Sequence, residues 1–504
     1  MDDATAPFAP ARAGYRNTVL ALLVLAYTFN FIDRTIIATV GQAIKIDLKL
    51  TDAQLGLLGG LSFALLYTLL GIPIARLAER WNRVSIIAIA LVIWSGFTAA
   101  CGLAGSFVQL LALRVGVGFG EAGCSPPAQA LISDYFEPRR RASALSVYSF
   151  GIPLGTMLGA AAGGWLAKTY GWRIAFMVVG APGLVIAVLV KLIVREPARG
   201  AFDPPAAAAP APTGSWWRHE LMEIWAVTKT LFGRWSVLNM VFGVTLASFA
   251  AYGAGQFAPP YFNRAYGLDY ATVGLIFGLV GGFSAGLGTL AGGFLTDWAG
   301  RRGASWYSLV PAIGLAIATP LYLLAYSQPN WRSAALILLA PGLFHYMYLG
   351  PTFGVVQNMV DARRRATAAA VLLLFLNIIA LGGGPVFTGW IIDRFAGAGF
   401  SAHTSLNTVQ ALGRLFAGAG SDFAAHCPGG AAPAGSAPAL AARCHIVLVR
   451  ATHQGLIVTV FFYAWAALHY VLGAIGLAKD LRGAASARGG APSPLADGAI
   501  KPGA

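Results

Sequence analysis

Six apolar stretches, each long enough to cross a bilayer, precede a linker rich in Ala and Pro, and six more follow it. They run at roughly 17–44, 53–77, 84–104, 107–135, 142–167 and 172–194, then 235–264, 271–298, 304–326, 332–359, 366–393 and 453–478. A helix rises about 1.5 Å per residue, so a hydrocarbon core about 30 Å thick takes about 20 apolar residues. The chain is therefore expected to be an all-α membrane protein of about twelve transmembrane helices. Its charged residues are only 11% of the whole, against about 25% in soluble domains. The 62 glycines suit helices that approach one another closely in lipid.

The formal charge of +15 does not point to nucleic acid, because the basic residues sit in short loops between the apolar stretches. Arg139-Arg140-Arg141, Arg301-Arg302 and Arg363-Arg364-Arg365 read as positive-inside signals. They place both termini in the cytoplasm, and a bacterial inner membrane is the expected location. Residues 1–16 form a polar tail without the features of a cleaved signal peptide. Residues 17–194 then make one six-helix half and 235–480 the other, with a tail at 481–504. Between them, 195–234 is a cytoplasmic linker. Its end, Trp216 to Leu231, mixes apolar and charged residues as a helix lying on a membrane does. An early start to the seventh helix explains it as well.

The halves repeat. Gly56-Leu57 returns as Gly274-Leu275, 218 residues later, and at that shift the loop Ala75 to Arg83 faces Gly293 to Arg301. Pro127 and Arg139-Arg140-Arg141-Ala142 return 224 residues later as Pro351 and Arg363-Arg364-Arg365-Ala366. Two repeated six-helix halves are the mark of a carrier that binds its substrate near mid-membrane.

Asn30-Phe31-Ile32-Asp33-Arg34 lies inside the first apolar stretch. Counted from Asn17, Asp33 falls about 24 Å along the helix, deep in the hydrocarbon core. A charge there costs about 2.5–3.5 kcal/mol on insertion scales and marks a bundle interior or a substrate path. The fourth stretch carries Arg114 and Glu121, seven residues apart and so on one face. Asp33, Arg34, Arg114 and Glu121 are read together as one buried network able to couple a proton to conformational change. Gly116, Gly118 and Gly120 would let another helix, expected to be the first, pack against the fourth. At the loop ends, Glu79 with Arg80 and Arg83, and Asp297 with Arg301 and Arg302, read as ion-pair latches of a cytoplasmic gate.

Asn30, Tyr67, Tyr252, Gln256, His345, Tyr346, Tyr348 and Asn377 are the polar candidates for lining a substrate cavity. His345 stands where the repeat puts Glu121, so it is either a second titrating group or a packing residue. Cys427 and Cys444 fall in the Ala/Gly/Pro-rich stretch 396–450, an extended outer loop, and read as a disulfide rather than a metal site. No P-loop, zinc spacing or hydrolase elbow occurs. The expectations are accordingly no enzyme activity, no metal and no cofactor beyond a coupling proton.

Several of these stretches carry a family resemblance. Leu77-Ala78-Glu79-Arg80-x-x-Arg83 and Gly293-x-Leu295-Thr296-Asp297-x-x-Gly300-Arg301-Arg302 resemble the loop motif of the major facilitator superfamily. Arg114-x-x-x-Gly118-x-Gly120-x-Ala122 resembles its fourth-helix motif, and Gly171-Trp172-Arg173-x-x-Phe176 the start of its sixth helix. Asn30 to Arg34 together with Gly120-Glu121-Ala122 resembles the spinster branch, which includes sphingolipid and lysophospholipid transporters. The resemblance implies the major-facilitator fold, two pseudo-symmetric halves, and Asp33 and Glu121 as proton or gating carboxylates partnered by Arg34 and Arg114. The expected protein is a monomeric, proton-coupled carrier of an amphipathic lipid-like molecule. A carrier of small organic anions or drugs is the alternative, and a membrane-embedded lipid-modifying enzyme is the alternative of another class.

Overall fold

The computed structural model describes residues 13–199, 216–360, 364–402, 406–413 and 421–486. Both distal tails, most of the linker and Arg363 lie outside the described residues. Among those described, every regular element is helical. Twelve helices among the described residues are long and apolar enough to cross a membrane. Spans one to six are Ala13–Thr39, Asp52–Ala78, Arg83–Cys101, Phe107–Tyr135, Ser143–Tyr170 and Trp172–Ile193. Spans seven to twelve are Trp235–Tyr266, Tyr270–Gly300, Trp306–Tyr326, Trp331–Asn358, Thr367–Ser401 and Pro438–Ala474. The chain is an integral, multi-pass membrane protein.

Local sequence explains where helices begin. Thr51 and Gln54 form a capping box at the start of span two, each side chain bonded to the other's backbone N–H. Asn82 accepts from the Ser85 N–H at 2.8 Å and Ser106 from the Gln109 N–H at 3.3 Å, opening spans three and four. Trp216–Phe232 is a helix of its own, ending before Trp235, rather than an early turn of span seven. Span twelve departs most from the sequence reading. It begins at Pro438 and not near 453, so the outer loop is much shorter than 396–450. An Ala-rich start with Pro at its first turn favours helix there, although Arg443, His445 and Arg450 interrupt the apolar run.

The structure divides into two compact units, each with its own packing. The first comprises residues 1–43, 62–211 and 270–278, and the second 44–61, 212–269 and 279–504. Each unit thus takes most of one sequence half and a short piece of the other. In the first unit, Gly151, Gly155, Gly159 and Gly163 seat span five on span one. A Cβ on Gly155 would lie 2.4 Å from the Thr28 carbonyl oxygen, and one on Gly159 would lie 2.8 Å from Ile32 Cα. Span five thereby fixes the turns of span one that carry Asn30, Asp33 and Arg34. The glycines of span four serve other neighbours than expected. A Cβ on Gly118 would meet the Phe63 carbonyl oxygen of span two at 2.6 Å, and one on Gly120 the Trp94 backbone of span three at 2.6 Å. Span four therefore meets span one through side chains, which leaves room for charge.

Candidate functional site

Asp33 and Arg34 are consecutive on a helix, so they point about 100° apart and find different partners. The Asp33 carboxylate is buried in the first unit. It accepts from Thr98 Oγ1 of span three at 2.8 Å and from Arg114 Nη1 of span four at 3.2 Å. Arg34 donates from Nε to Glu121 Oε2 at 2.7 Å, two turns further along span four. The network is two crossed ion pairs, each joining span one to span four, with no net charge. Two acids and two bases hydrogen-bonded in this way are what makes burial at this depth tolerable.

The pairs differ in one respect. Asp33 and Arg114 are enclosed together, with side chains 2% and 1% exposed, whereas Arg34 is 22% exposed beside a Glu121 that is fully buried. The Arg34 guanidinium also lies over three rings, Phe31 at 5.0 Å, Phe63 at 4.6 Å and Tyr67 at 4.7 Å. Phe63 and Tyr67 stack on each other, and Tyr27 stacks on Tyr148 at 4.3 Å and meets Phe31 edge-on. An exposed guanidinium edge is therefore set in an aromatic wall, where cation–π attraction steadies it. Among the described residues, several buried polar atoms here have no protein partner: both amide atoms of Asn30, Glu121 Oε1 and Arg114 Nε. Buried polar atoms are nearly always bonded, so such a group marks a place where a proton, water or ligand can be received.

The remaining cavity candidates lie in the second unit, apart from Tyr67. His345 ends a helix in span ten, and its Nδ1 lies 2.8 Å from the Tyr322 hydroxyl. Its ring packs against Tyr346 at 4.0 Å and Tyr463 at 5.2 Å, while Nε2 is buried without a protein partner. Tyr348 is buried with its hydroxyl 3.0 Å from Ser248 Oγ. Gln256 is buried over Gly59, where a Cβ would lie 2.1 Å from its Oε1. Tyr252 is exposed, and Asn377 is half-buried in the π-helical turns Leu376–Gly383.

The gate residues are arranged differently from the expectation. The Glu79 side chain lies outside the described residues, and Arg80 is exposed. Arg83 is buried and donates to Asp134 and, from Nε, to Glu196 Oε1 at 2.6 Å, while the other Glu196 oxygen accepts from the Val84 N–H. This clasp ties together the starts of span three, the end of span four and the stretch after span six. Asp134 and Glu196 escaped the sequence reading because nothing in their spacing links them to Arg83. Asp297 is exposed, receives the Tyr307 hydroxyl at 3.5 Å and forms no ion pair among the described residues. Arg301 and Arg302 are exposed, and Arg302 covers the Trp298 ring at 4.0 Å. Cys427 and Cys444 are joined by a disulfide. No group of three or more His, Cys, Asp or Glu suited to a metal occurs among the described residues.

The model of the major facilitator superfamily matches residues 23–385, most of the span region. The chain belongs to the major facilitator superfamily. It is 32% identical over 395 residues to an MFS-type efflux pump of Mycolicibacterium smegmatis, covering 78% of this chain and 87% of that one. It is 26% identical to a hexuronate transporter of Bacillus subtilis, over 78% of this chain and 93% of that one. Among solved structures it is similar to a bacterial homologue of the human lysosomal transporter Spinster in an inward-facing, unoccupied conformation. That match has a TM-score of 0.76 and 34% identity, over 93% of this chain and 99% of the other. The fold and the spinster likeness agree with the sequence motifs, and they point to a transporter rather than an enzyme.

Proposed function

We propose that this major facilitator is a proton-coupled, alternating-access carrier of an anionic amphiphile of the lysophospholipid or sphingolipid type. The observation that carries the reading is Glu121, with one carboxylate oxygen on Arg34 and the other buried without a protein partner. A proton taken at the second oxygen removes the charge opposite Arg34 and weakens the pair. Arg34, the partly exposed member, then turns its planar fork to a phosphate or carboxylate headgroup, which guanidinium binds bidentately. Release of the headgroup lets Glu121 ionise and take Arg34 back. The Glu121 carboxylate and the substrate anion thus compete for one guanidinium, so that a proton on Glu121 favours binding of the anion. Phe31, Phe63 and Tyr67 offer the adjoining alkyl chain an apolar wall. Asp33 holds Arg114 in place, so that this pair stays charge-balanced while Arg34 exchanges Glu121 for the headgroup.

The carrier works as a monomer in the bilayer with both termini cytoplasmic, in a bacterial inner membrane, without nucleic acid or any cofactor but the proton. A small organic anion is the second reading, favoured by the hexuronate-transporting relative and served by the same Arg34 fork. The aromatic wall favours the amphiphile.

The test is flux of a labelled lysophospholipid in proteoliposomes, with and without an imposed pH gradient. The wild type should move the lipid and respond to the gradient, and Glu121→Gln should abolish the gradient response. A gradient response that survives Glu121→Gln overturns the coupling scheme. Absence of lipid flux by folded protein, together with flux of a hexuronate, would replace the amphiphile by the small anion.

A further inference from the structure

The second unit encloses a charge cluster that the site above does not use. Asp52, at the start of span two, is fully buried, and its two carboxylate oxygens go to different cations. Lys45, from the short helix Gly41–Asp47, donates to Oδ2, and Arg264, in the last turn of span seven, donates from Nη2 to Oδ1 at 2.6 Å. Arg264 is further anchored to Thr452 Oγ1 of span twelve at 2.7 Å. A second carboxylate, Asp393 of span eleven, accepts from the backbone N–H groups of Asp52 at 2.9 Å and Ala53 at 2.7 Å. It caps the positive end of the helix that Asp52 begins. Below this cap the backbones touch: a Cβ on Gly389 would lie 2.1 Å from the Asp52 carbonyl oxygen, and one on Gly56 2.1 Å from that of Pro385. Lys45 lies outside the spans, and burial pulls its ammonium below the usual lysine range against the opposing attraction of Asp52.

The disulfide loop lies on this cluster. Gly429 and Gly430 both have positive φ, at 68° and 88°. A Cβ on Gly429 would lie 2.9 Å from the Lys45 carbonyl oxygen, and one on Gly430 3.4 Å from Lys45 Cε. The turn that follows Cys427 is thus pressed onto the Lys45 segment, and the bond to Cys444 ties that turn to the first turns of span twelve.

We propose that Lys45, Asp52, Arg264 and Asp393 form a lock on the disulfide-bearing end of the carrier, with the Cys427–Cys444 loop as its clamp. The inference rests on the carrier reading, since alternating access requires residues 44–61, which belong to the first sequence half, to part from spans seven and eleven. Charge suits that task. A buried ion cluster is close to break-even with its hydrated parts, so it separates into water at little net cost, whereas an apolar seam of equal area does not. The backbone capping by Asp393 sets the register at which the lock closes. The glycine turn keeps Lys45 from leaving while the disulfide is intact.

The test reads opening without any substrate. In nanodiscs, in a Cys101→Ala/Cys124→Ala background, Leu55→Cys places a reporter thiol where the side chain is fully buried in span two. Its reaction with a polar fluorescent maleimide should be slow with the lock intact. Asp52→Asn should speed it about a hundredfold, the scale expected when one partner of a buried charge set is removed. Asp52→Glu should restore most of the protection, which a change in packing alone would not do. Cys427→Ser/Cys444→Ser should raise the rate less than Asp52→Asn does. Where Asp52→Asn does not elute as folded protein, Asp393→Asn carries the same criterion. Labelling that stays slow in a folded lock variant overturns the lock, even with gradient-driven flux intact. Lock-dependent labelling with no flux of any tested anion overturns the carrier reading and leaves the cluster a conformational switch.

Discussion

Asp33 and Arg114 meet at 3.2 Å with side chains almost wholly enclosed, so removing one charge strands the other. Breaking such a pair costs about 3–5 kcal/mol, while replacing both members together is far milder. Asp33→Asn should therefore lower the thermal stability of the detergent-solubilised protein markedly. Asp33→Asn/Arg114→Gln should recover most of the loss. A double-mutant cycle of unfolding midpoints measures the coupling. Equal losses from the single and double variants would show that the pair is not the unit of stability. Both residues are legible from sequence because charges in an apolar stretch are conspicuous. Thr98, which completes the Asp33 site, is not, since a threonine in a span is ordinarily bonded to its own helix. Partner choice is equally hidden: periodicity places Arg114 and Glu121 on one face but does not say which faces Asp33.

The glycine ladder of span five belongs to the scale of elements, and its rungs are unequal. A Cβ on Gly155 would press on the Thr28 carbonyl oxygen at 2.4 Å, which cannot move without shifting span one. A Cβ on Gly163 would meet only side-chain atoms, Ile36 Cγ1 at 3.0 Å and Cδ1 at 3.5 Å, which have to give by a few tenths of an ångström without moving the backbone of span one. Overpacking of the first kind costs about 1–3 kcal/mol. The second is offset by the helix preference of Ala over Gly, about 0.5–1 kcal/mol. Gly155→Ala should lower the unfolding midpoint and the transport rate together, and Gly163→Ala should leave both near wild type. The reverse order would mean that span five does not set the position of span one. A four-residue glycine spacing announces such a contact in the sequence, but its partner is not announced. The glycines of span four were expected to meet span one and meet spans two and three instead. The start of span twelve is hidden in the sequence for a related reason. Residues 438–452 are rich in Ala, and Arg443, His445 and Arg450 interrupt their apolar run, so helix there does not register as apolar length.

On the scale of the whole molecule, the repeat makes the halves alike in helices and unlike in charge. The position of Glu121 is taken, 224 residues later, by His345, and the two environments share little. Glu121 belongs to a set of ion pairs in the first unit, whereas His345 sits among Tyr322, Tyr346 and Tyr463 in the second, with no acidic partner among the described residues. The repeat was legible from short motifs, but the exchange of 44–61 and 270–278 between units was not, because it depends on packing within long helices. An imidazole bonded to a tyrosine hydroxyl and carrying one unpartnered nitrogen is suited to holding a polar group of a substrate. It has no opposed charge whose pairing a proton would switch. His345→Gln keeps a polar side chain and should raise the KM for the proposed anionic substrate several-fold. It should leave the dependence of the rate on the pH gradient unchanged, whereas Glu121→Gln should abolish that dependence. Flux measured over a range of substrate concentrations, with and without the gradient, separates the two effects. If His345→Gln also removes the gradient response, proton coupling does not reside in the first unit alone, and the asymmetry of charge between the halves is not an asymmetry of function.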